Sequence, residues 1–426
     1  LVWGMQEIND ILNKKSGQRL SPVDCLDVMN IIGRIVVAGN VRRSAQIAIG
    51  DCDDVEYLQA KRWDLGGIPN WRAMSNNSVV CDDISKLPAE FWEGYNGNGE
   101  PYGLINLSAS RRMGRTFEVE YPDPDVQGFN PCAEQSLANF ETCCLAEIYL
   151  PNIEHYEELK KVARYLYRIN KHSLAIKCAV KETEDIVHKN MRMGIGVTGY
   201  LQATEEQRSW LADCYDYIRA YDKEYSRLAG YPASIKLTTV KPSGTLSLLA
   251  GVTPGAHPGY SEYYIRRIRM SADSSLAHAA RKHGYPVEFV LNFDGTEDKS
   301  TIVVSFPCKF PKGTMFANDM TALDQLEVIK RLQAEWSDNA VSVTIYYRKE
   351  ELDGIKEWLD KNFKNVKSVS FLLHNEHGFK QAPLEEIDEG TYLDMRKTVT
   401  PITSIDQLGL DEVEIDDCEG GACPVR

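Results

Sequence analysis

Three side chains that can hold, give up or accept a proton stand on alternate positions of one short stretch, Asn-Pro-Cys-Ala-Glu-Gln at residues 130–135. In an extended or tightly looped backbone residues i, i+2 and i+4 point the same way, so Asn130, Cys132 and Glu134 would face one cavity. Pro131 restricts its own φ and disfavours helix at Asn130, which favours such a loop. Cys143 and Cys144 follow in Phe-Glu-Thr-Cys-Cys-Leu-Ala-Glu. Alone they read as core thiols, because reduced cysteine is among the most buried residue types. Beside the 130–135 loop they read as a source of electrons. A further pair, Cys418 and Cys423, is separated by Glu-Gly-Gly-Ala near the end of the chain. Glycines let a chain bend sharply, so this pair can close into a disulfide and swing; half a zinc site is the alternative, but two more ligands are not nearby.

A second constellation is Leu-Thr-Thr-Val-Lys-Pro-Ser-Gly-Thr-Leu-Ser, residues 237–247. Amides at a helix start, flanked by the hydroxyls of Ser243, Thr245 and Ser247, make an anion site, and an ordinary capped turn is the competing reading. Arg266, Arg267 and Arg269 can add positive charge, although such a run is commonly a solvated helix face. The eight histidines form no ligand or catalytic set, and none is singled out as a base for Cys132.

These residues need a scaffold, and the chain of 426 residues, 43% hydrophobic, can bury a large core. A net charge of −14 argues against a duplex nucleic-acid partner. The absence of a long apolar run argues against a membrane span, and eleven cysteines at irregular spacing point to a reducing, cytoplasmic setting rather than a disulfide framework. Ser21-Pro-Val-Asp starts a helix that Gly39-Asn40 ends, and residues 151–170 and 204–229 carry helical periodicity. Strands at 301–306, 341–347 and 368–373, alternating with helices near 320–336 and 350–362, read as βαβαβ and hence as a parallel sheet, open or closed into a barrel. Residues 406–419 hold seven acids and no base, which reads as a mobile tail. The expected division is a catalytic α/β body over 1–400 and a tail over 401–426.

Taken together, Asn130-Pro-Cys-Ala-Glu134, Cys143, Val240-Lys-Pro-Ser-Gly-Thr-Leu-Ser247 and the Cys418/Cys423 pair resemble ribonucleotide reductases. The match is nearest to the monomeric, adenosylcobalamin-dependent class acting on ribonucleoside triphosphates. Gly39-Asn-Val-Arg-Arg-Ser-Ala-Gln-Ile-Ala48, Met74-Ser-Asn-Asn-Ser-Val79 and Pro254-Gly-Ala-His-Pro258 extend the resemblance over nearly the whole chain. It implies a ten-stranded α/β barrel with the Cys132 loop threaded through its centre, and adenosylcobalamin as cofactor. It further implies a thiyl radical on Cys132 that takes the 3′ hydrogen, Glu134 as base and Asn130 as the holder of the 3′ oxygen. Cys143 and a partner thiol would supply two electrons, Cys418/Cys423 would relay them from thioredoxin or a similar dithiol, and Ser243, Gly244, Thr245 and Leu246 would hold the substrate phosphates. A deoxynucleotide effector is a further implied partner, and no metal ligand is assigned. The family's second active-site cysteine lies on a first barrel strand upstream of the matched region, so the chain is expected to be the C-terminal part of the enzyme. Two other readings stay open: a reductase of the iron-dependent class, which relays a radical through a tyrosine pair like Tyr346-Tyr347, and a non-catalytic dithiol-bearing regulatory or assembly fragment.

Overall fold

The structure, a computed structural model, describes residues 1–38, 44–116, 122–291, 295–311, 313–374 and 381–403. Helices begin where local chemistry supplies caps. Ser21 accepts from the Asp24 amide at 3.2 Å while Asp24 accepts from the Ser21 amide at 2.7 Å, and with Pro22 in the first turn this starts the helix Pro22–Val37. Thr204 and Gln207 do the same for Glu205–Ala229, which stops at Gly230 in the left-handed region, φ 74°. That helix packs against Tyr156–Leu174, with Leu159, Ala163, Tyr167, Leu211 and Ile218 in the core between them and the sheet.

The strands are β1 Gln46–Asp51, β2 Ser75–Val80, β3 Gly103–Ile105, β4 Val126–Phe129, β5 Ser136–Ala138, β6 Leu145–Tyr149, β7 Gly194–Thr198, β8 Thr238–Thr239, β9 Tyr263–Ser271, β10 Val287–Leu291, β11 Glu297–Lys309, β12 Thr344–Tyr347, β13 Ser368–Leu373 and β14 Leu384–Glu386. They fall into two compact units. The first is Leu1–Gly259 with Lys312–His377, and the second is built on Tyr260–Pro311 and takes in the described residues from 381 on.

In the first unit β1, β2 and β3 run parallel, β3 meets β13 antiparallel, and β13 is parallel to β12. A parallel three-stranded sheet, β6-β7-β8, continues the series through the Val240–Val341 bridge beside β8 and β12. The result is one run of eight strands, β1-β2-β3-β13-β12-β8-β7-β6, with three strands pointing one way and five the other. The helix Leu352–Asn362 covers the β12–β13 crossover as the alternation of residues 341–373 requires. β4 and β5 stand apart as an antiparallel hairpin.

The expected strand at 301–306 exists but belongs elsewhere. It lies in β11, which pairs antiparallel with β9 and β10 in the second unit, so it is not the first strand of a βαβαβ series. Ile302 and Val304 of its apolar run pack with Ala277 and Ala280 of the helix Ser275–Lys282 in a small core of their own. An apolar run reports burial, not the direction of its neighbour. Arg266, Arg267 and Arg269 likewise sit on strand β9 rather than on a helix.

Candidate active site

The 130–135 loop is the tip of the β4–β5 hairpin, and the hairpin lies against the strands of the first unit. The loop closes on itself: the Gln135 amide donates to Asn130 Oδ1 at 2.9 Å, the Asn130 amide to the Gln135 carbonyl at 3.1 Å, and the Ala133 amide to the Asn130 carbonyl at 2.8 Å. Ala133 takes φ 60°, a left-handed conformation that a non-glycine residue holds only when its surroundings fix it. The surroundings do so through six strands or their ends. Asn76 of β2 donates to the Pro131 carbonyl at 3.0 Å, and Ser342, just before β12, donates to that of Cys132. Ser368 of β13 donates to Ala133 at 3.2 Å, while Thr239 of β8 and the Ala340 amide both donate to the Glu134 carbonyl, at 2.9 and 3.0 Å. Ile47 and Ile49 of β1 and Ile105 of β3 pack with Phe129 and Ala133. Strands of both orientations thus hold one loop. The Met74–Val79 motif is part of this grip, whereas residues 39–43 of the Gly39–Ala48 motif lie outside the described residues.

Glu134 is buried, and its Oε2 has no hydrogen-bond partner. Burial raises its proton affinity first, Glu147 adds to this, and the Asn130 amide and Lys241 oppose it; the outcome is a carboxyl above its ordinary range. Burial and then Glu134 push the Cys132 thiol up to about 11, against the pull of Lys241. Cys143 is pushed up to about 12 by burial, then by Glu134, Cys144 and Cys132. Both residues are exposed at the surface of the described chain. Near neutral pH both are therefore S–H groups, suited to giving up a hydrogen atom and poorly suited to thiolate attack. Cys144 is half-buried, its thiol pushed up to about 11, and its amide donates to Gln135 Oε1 at 3.2 Å.

The turn after β8 sits on the same side. Ser243 is buried with φ 49° and donates to the Glu147 carboxylate, while Gly244, Thr245 and Leu246 are exposed at the head of the short helix Leu246–Ala250. Ser247 closes the turn by donating to the Ser243 carbonyl at 2.6 Å. Gly255 of the Pro254–Pro258 motif passes so near the Lys241 carbonyl, at φ 51°, that a side chain there would collide with it. The structure thus brings Asn130, Cys132, Glu134 and Cys143 into mutual influence and links them through Glu147 and Lys241 to the turn carrying Ser243. Cys418 and Cys423 lie outside the described residues. Tyr347 is buried and donates to the Tyr95 carbonyl at 2.6 Å; Tyr346 stacks edge-on with His374.

Sequence reasoning passed over Lys241, Glu147, Asn76, Thr239 and Ser342. The available signal was the alternation of glycine in Gly194-Ile-Gly196, which marks a strand face kept bare for something to lie against.

The loop across a two-directional α/β sheet is a fold shared with ribonucleotide reductases. A crystal structure of a B12-dependent (class II) ribonucleotide reductase superposes with a TM-score of 0.75 at 29% identity, over 95% of this chain and 60% of that one. The class Id alpha subunit of Actinobacillus ureae shares the fold alone, with a TM-score of 0.53 at 14% identity over 83% of this chain and 76% of that one. The sequence is 35% identical over 470 residues to the adenosylcobalamin-dependent ribonucleoside-triphosphate reductase of Lactobacillus acidophilus, covering 100% of this chain and 62% of that protein. It is 34% identical to the probable adenosylcobalamin-dependent ribonucleoside-triphosphate reductase of Dictyostelium discoideum, over 98% of this chain and 56% of that protein. The chain thus spans about three fifths of the length of the curated relatives it matches. No family model matches it. No helix among the described residues is long and apolar enough to cross a membrane.

Proposed function

We propose that this chain carries the reaction centre of a reductase that converts ribonucleoside triphosphates to 2′-deoxyribonucleoside triphosphates. The observation that carries the reading is an exposed Cys132 on the same rigid loop as a buried Glu134 whose Oε2 lacks a partner. An orphaned buried acceptor fits a substrate hydroxyl. An exposed cysteine S–H also fits adenosylcobalamin, which would supply, when bound, a one-electron route for taking the thiol hydrogen. The Cys132 sulfur radical then removes the ribose 3′ hydrogen while Glu134 accepts the 3′-hydroxyl proton and Asn130 steadies that oxygen. Loss of the 2′ oxygen as water needs two electrons and two protons. Cys143 and a second thiol supply them and become a disulfide, and the 3′ hydrogen returns from Cys132 so that the radical is renewed. The turn Ser243, Gly244, Thr245 and Leu246 receives the phosphates, and Cys418/Cys423 return electrons from a dithiol such as thioredoxin.

The finer architecture belongs to the same proposal. Three strands point one way and five the other, so two more parallel strands beside β1 would make five and five and close a ten-stranded barrel around the loop. Their source would be the upstream segment present in the longer relatives, which would also bring Cys143 its partner. Cys144 is a poor substitute, because adjacent cysteines close a strained ring. The test is reduction by this chain alone and by the chain joined to its upstream segment, each with adenosylcobalamin and a dithiol. Only the joined protein should form deoxynucleotide repeatedly, and sustained turnover by the chain alone would refute the electron count.

A further inference from the structure

Glu147 of β6 is registered with Gly196 of β7, and Gly196 with Thr239 of β8. Side chains alternate along a strand, so Cys143 and Glu147 share a face, as do Thr239 and Lys241 two residues on. Gly196 leaves a gap between them. A Cβ built there would stand 3.2 Å from Cγ of Lys241, so the lysine stem lies in the space that the missing side chain vacates. Its ammonium crosses that gap to pair with Glu147. The Glu147 carboxylate is 3% exposed and also takes the Thr198 hydroxyl at 2.9 Å and the Ser243 hydroxyl. A buried carboxylate with a cation and two hydroxyls on it is a built feature, since each partner offsets the cost of removing that charge from water.

We propose that Lys241 is a positioning residue of the reaction centre, its ammonium held in the Gly196 gap by Glu147, and that this held charge sets the electrostatic field in which the Cys132 thiol and the Glu134 carboxyl work. The functional meaning rests on the reading of the loop as a reductase centre; the charge arrangement does not. The groups that face one another here are Cys132 and Glu134 on the loop, Cys143 and Cys144 ahead of β6, Glu147 and Tyr149 on β6, and Lys241 after β8. Lys241 acts on Cys132, Glu134 and Cys143 in one direction, favouring their ionised forms, and Glu147 opposes it at Glu134. Removing the ammonium must therefore make all three harder to ionise, and removing the Glu147 charge must make Glu134 easier to ionise.

The test is alkylation of the protein by iodoacetamide at pH 8.5, read thiol by thiol by peptide mass spectrometry, with exposed Cys25 as the internal reference. Thiolate fraction changes tenfold per pKa unit while nucleophilicity changes the other way, leaving about threefold in rate per unit. Lys241→Met should slow Cys132 by about threefold relative to Cys25, and Lys241→Arg should restore it. An unchanged Cys132 rate in folded Lys241→Met, or a rate in Lys241→Arg as slow as in Lys241→Met, would overturn the proposal. If Lys241→Met does not fold, Lys241→Gln, which keeps a polar stem in the Gly196 gap, is read against Lys241→Arg in the same way. No cofactor or nucleotide enters this assay, so it stands apart from the reductase reading. In the protein joined to its upstream segment, Lys241→Met should also move the acid limb of kcat to higher pH, because the base is harder to ionise. An alkylation shift without a limb shift would keep the charge arrangement and reject Glu134 as the base.

Discussion

Two groups of buried charge occupy the same unit and are finished in opposite ways. Around the hairpin base, Asp123 accepts both terminal nitrogens of Arg192, at 2.7 and 3.0 Å, and pairs with the Lys236 ammonium at 3.0 Å. Arg192 Nε reaches Glu141 at 3.0 Å, and Glu141 also takes the Asn190 amide at 2.9 Å and the Ala138 backbone at 2.8 Å. Burial alone would raise the Asp123 carboxyl, but Arg192 and Lys236 outweigh it and hold it below the usual range. At the tip, Glu134 lacks such a partner on Oε2 and moves the other way. A buried network with every group matched fixes a position; a buried acid left unmatched is poised to take a proton from something else. The hairpin thus joins a base of matched charges to a tip with an unmatched acid.

The contrast breaks first at the tip. Glu134→Gln keeps the shape and removes the proposed base, so turnover in the protein joined to its upstream segment should fall about 10²- to 10⁴-fold. Stability should not fall with it. A carboxyl raised in the folded state costs stability as pH rises through its folded pKa, so the amide should melt at the same temperature or higher near pH 8. Retained turnover, or a clear loss of stability, would put Glu134 in the class of Asp123.

At the base the reverse holds. Asp123→Ala strands Arg192 and Lys236 and should cost about 3–5 kcal/mol in urea unfolding. Asp123→Asn should remove one source of acid lability. A depressed carboxyl stabilises above its unfolded pKa and loses that contribution as pH falls through its lower folded pKa, and the amide has nothing to lose there. Cys418→Ser with Cys423→Ser should leave one turnover of prereduced protein intact and abolish repeated turnover with thioredoxin. The smallest effect is expected at Gly196→Ala, whose methyl must displace the Lys241 stem by a few tenths of an ångström. Cys132 alkylation should change by about threefold or less, with stability within about 1–3 kcal/mol.

Much of this division was legible in the residues. Asn130-Pro-Cys-Ala-Glu134 announced a tight loop, and Ser21-Pro22 and Thr204 announced their helices, because caps and prolines act locally. The eight-strand order was not, since it depends on which apolar run meets which: the run at Ile302–Val304 looked like a partner for β12 and pairs with β9 instead. Lys241 was quoted within a turn and given no role. Its partner Glu147 lies two strands away, and only the register through Gly196 brings them together.

The central claim is that the Cys132 thiol takes the 3′ hydrogen of the substrate and gives it back. The most direct measurement follows a ribonucleoside triphosphate carrying deuterium at C3′ through a single turnover of the protein joined to its upstream segment, with adenosylcobalamin and prereduced thiols. Hydrogen transfer through Cys132 predicts slowed reduction relative to protium, deuterium retained at C3′ of the deoxynucleotide, and no product from Cys132→Ser, whose O–H bond is too strong to break in this way. Deoxynucleotide formed by Cys132→Ser at the unlabelled rate, with no isotope effect in either protein, would contradict it.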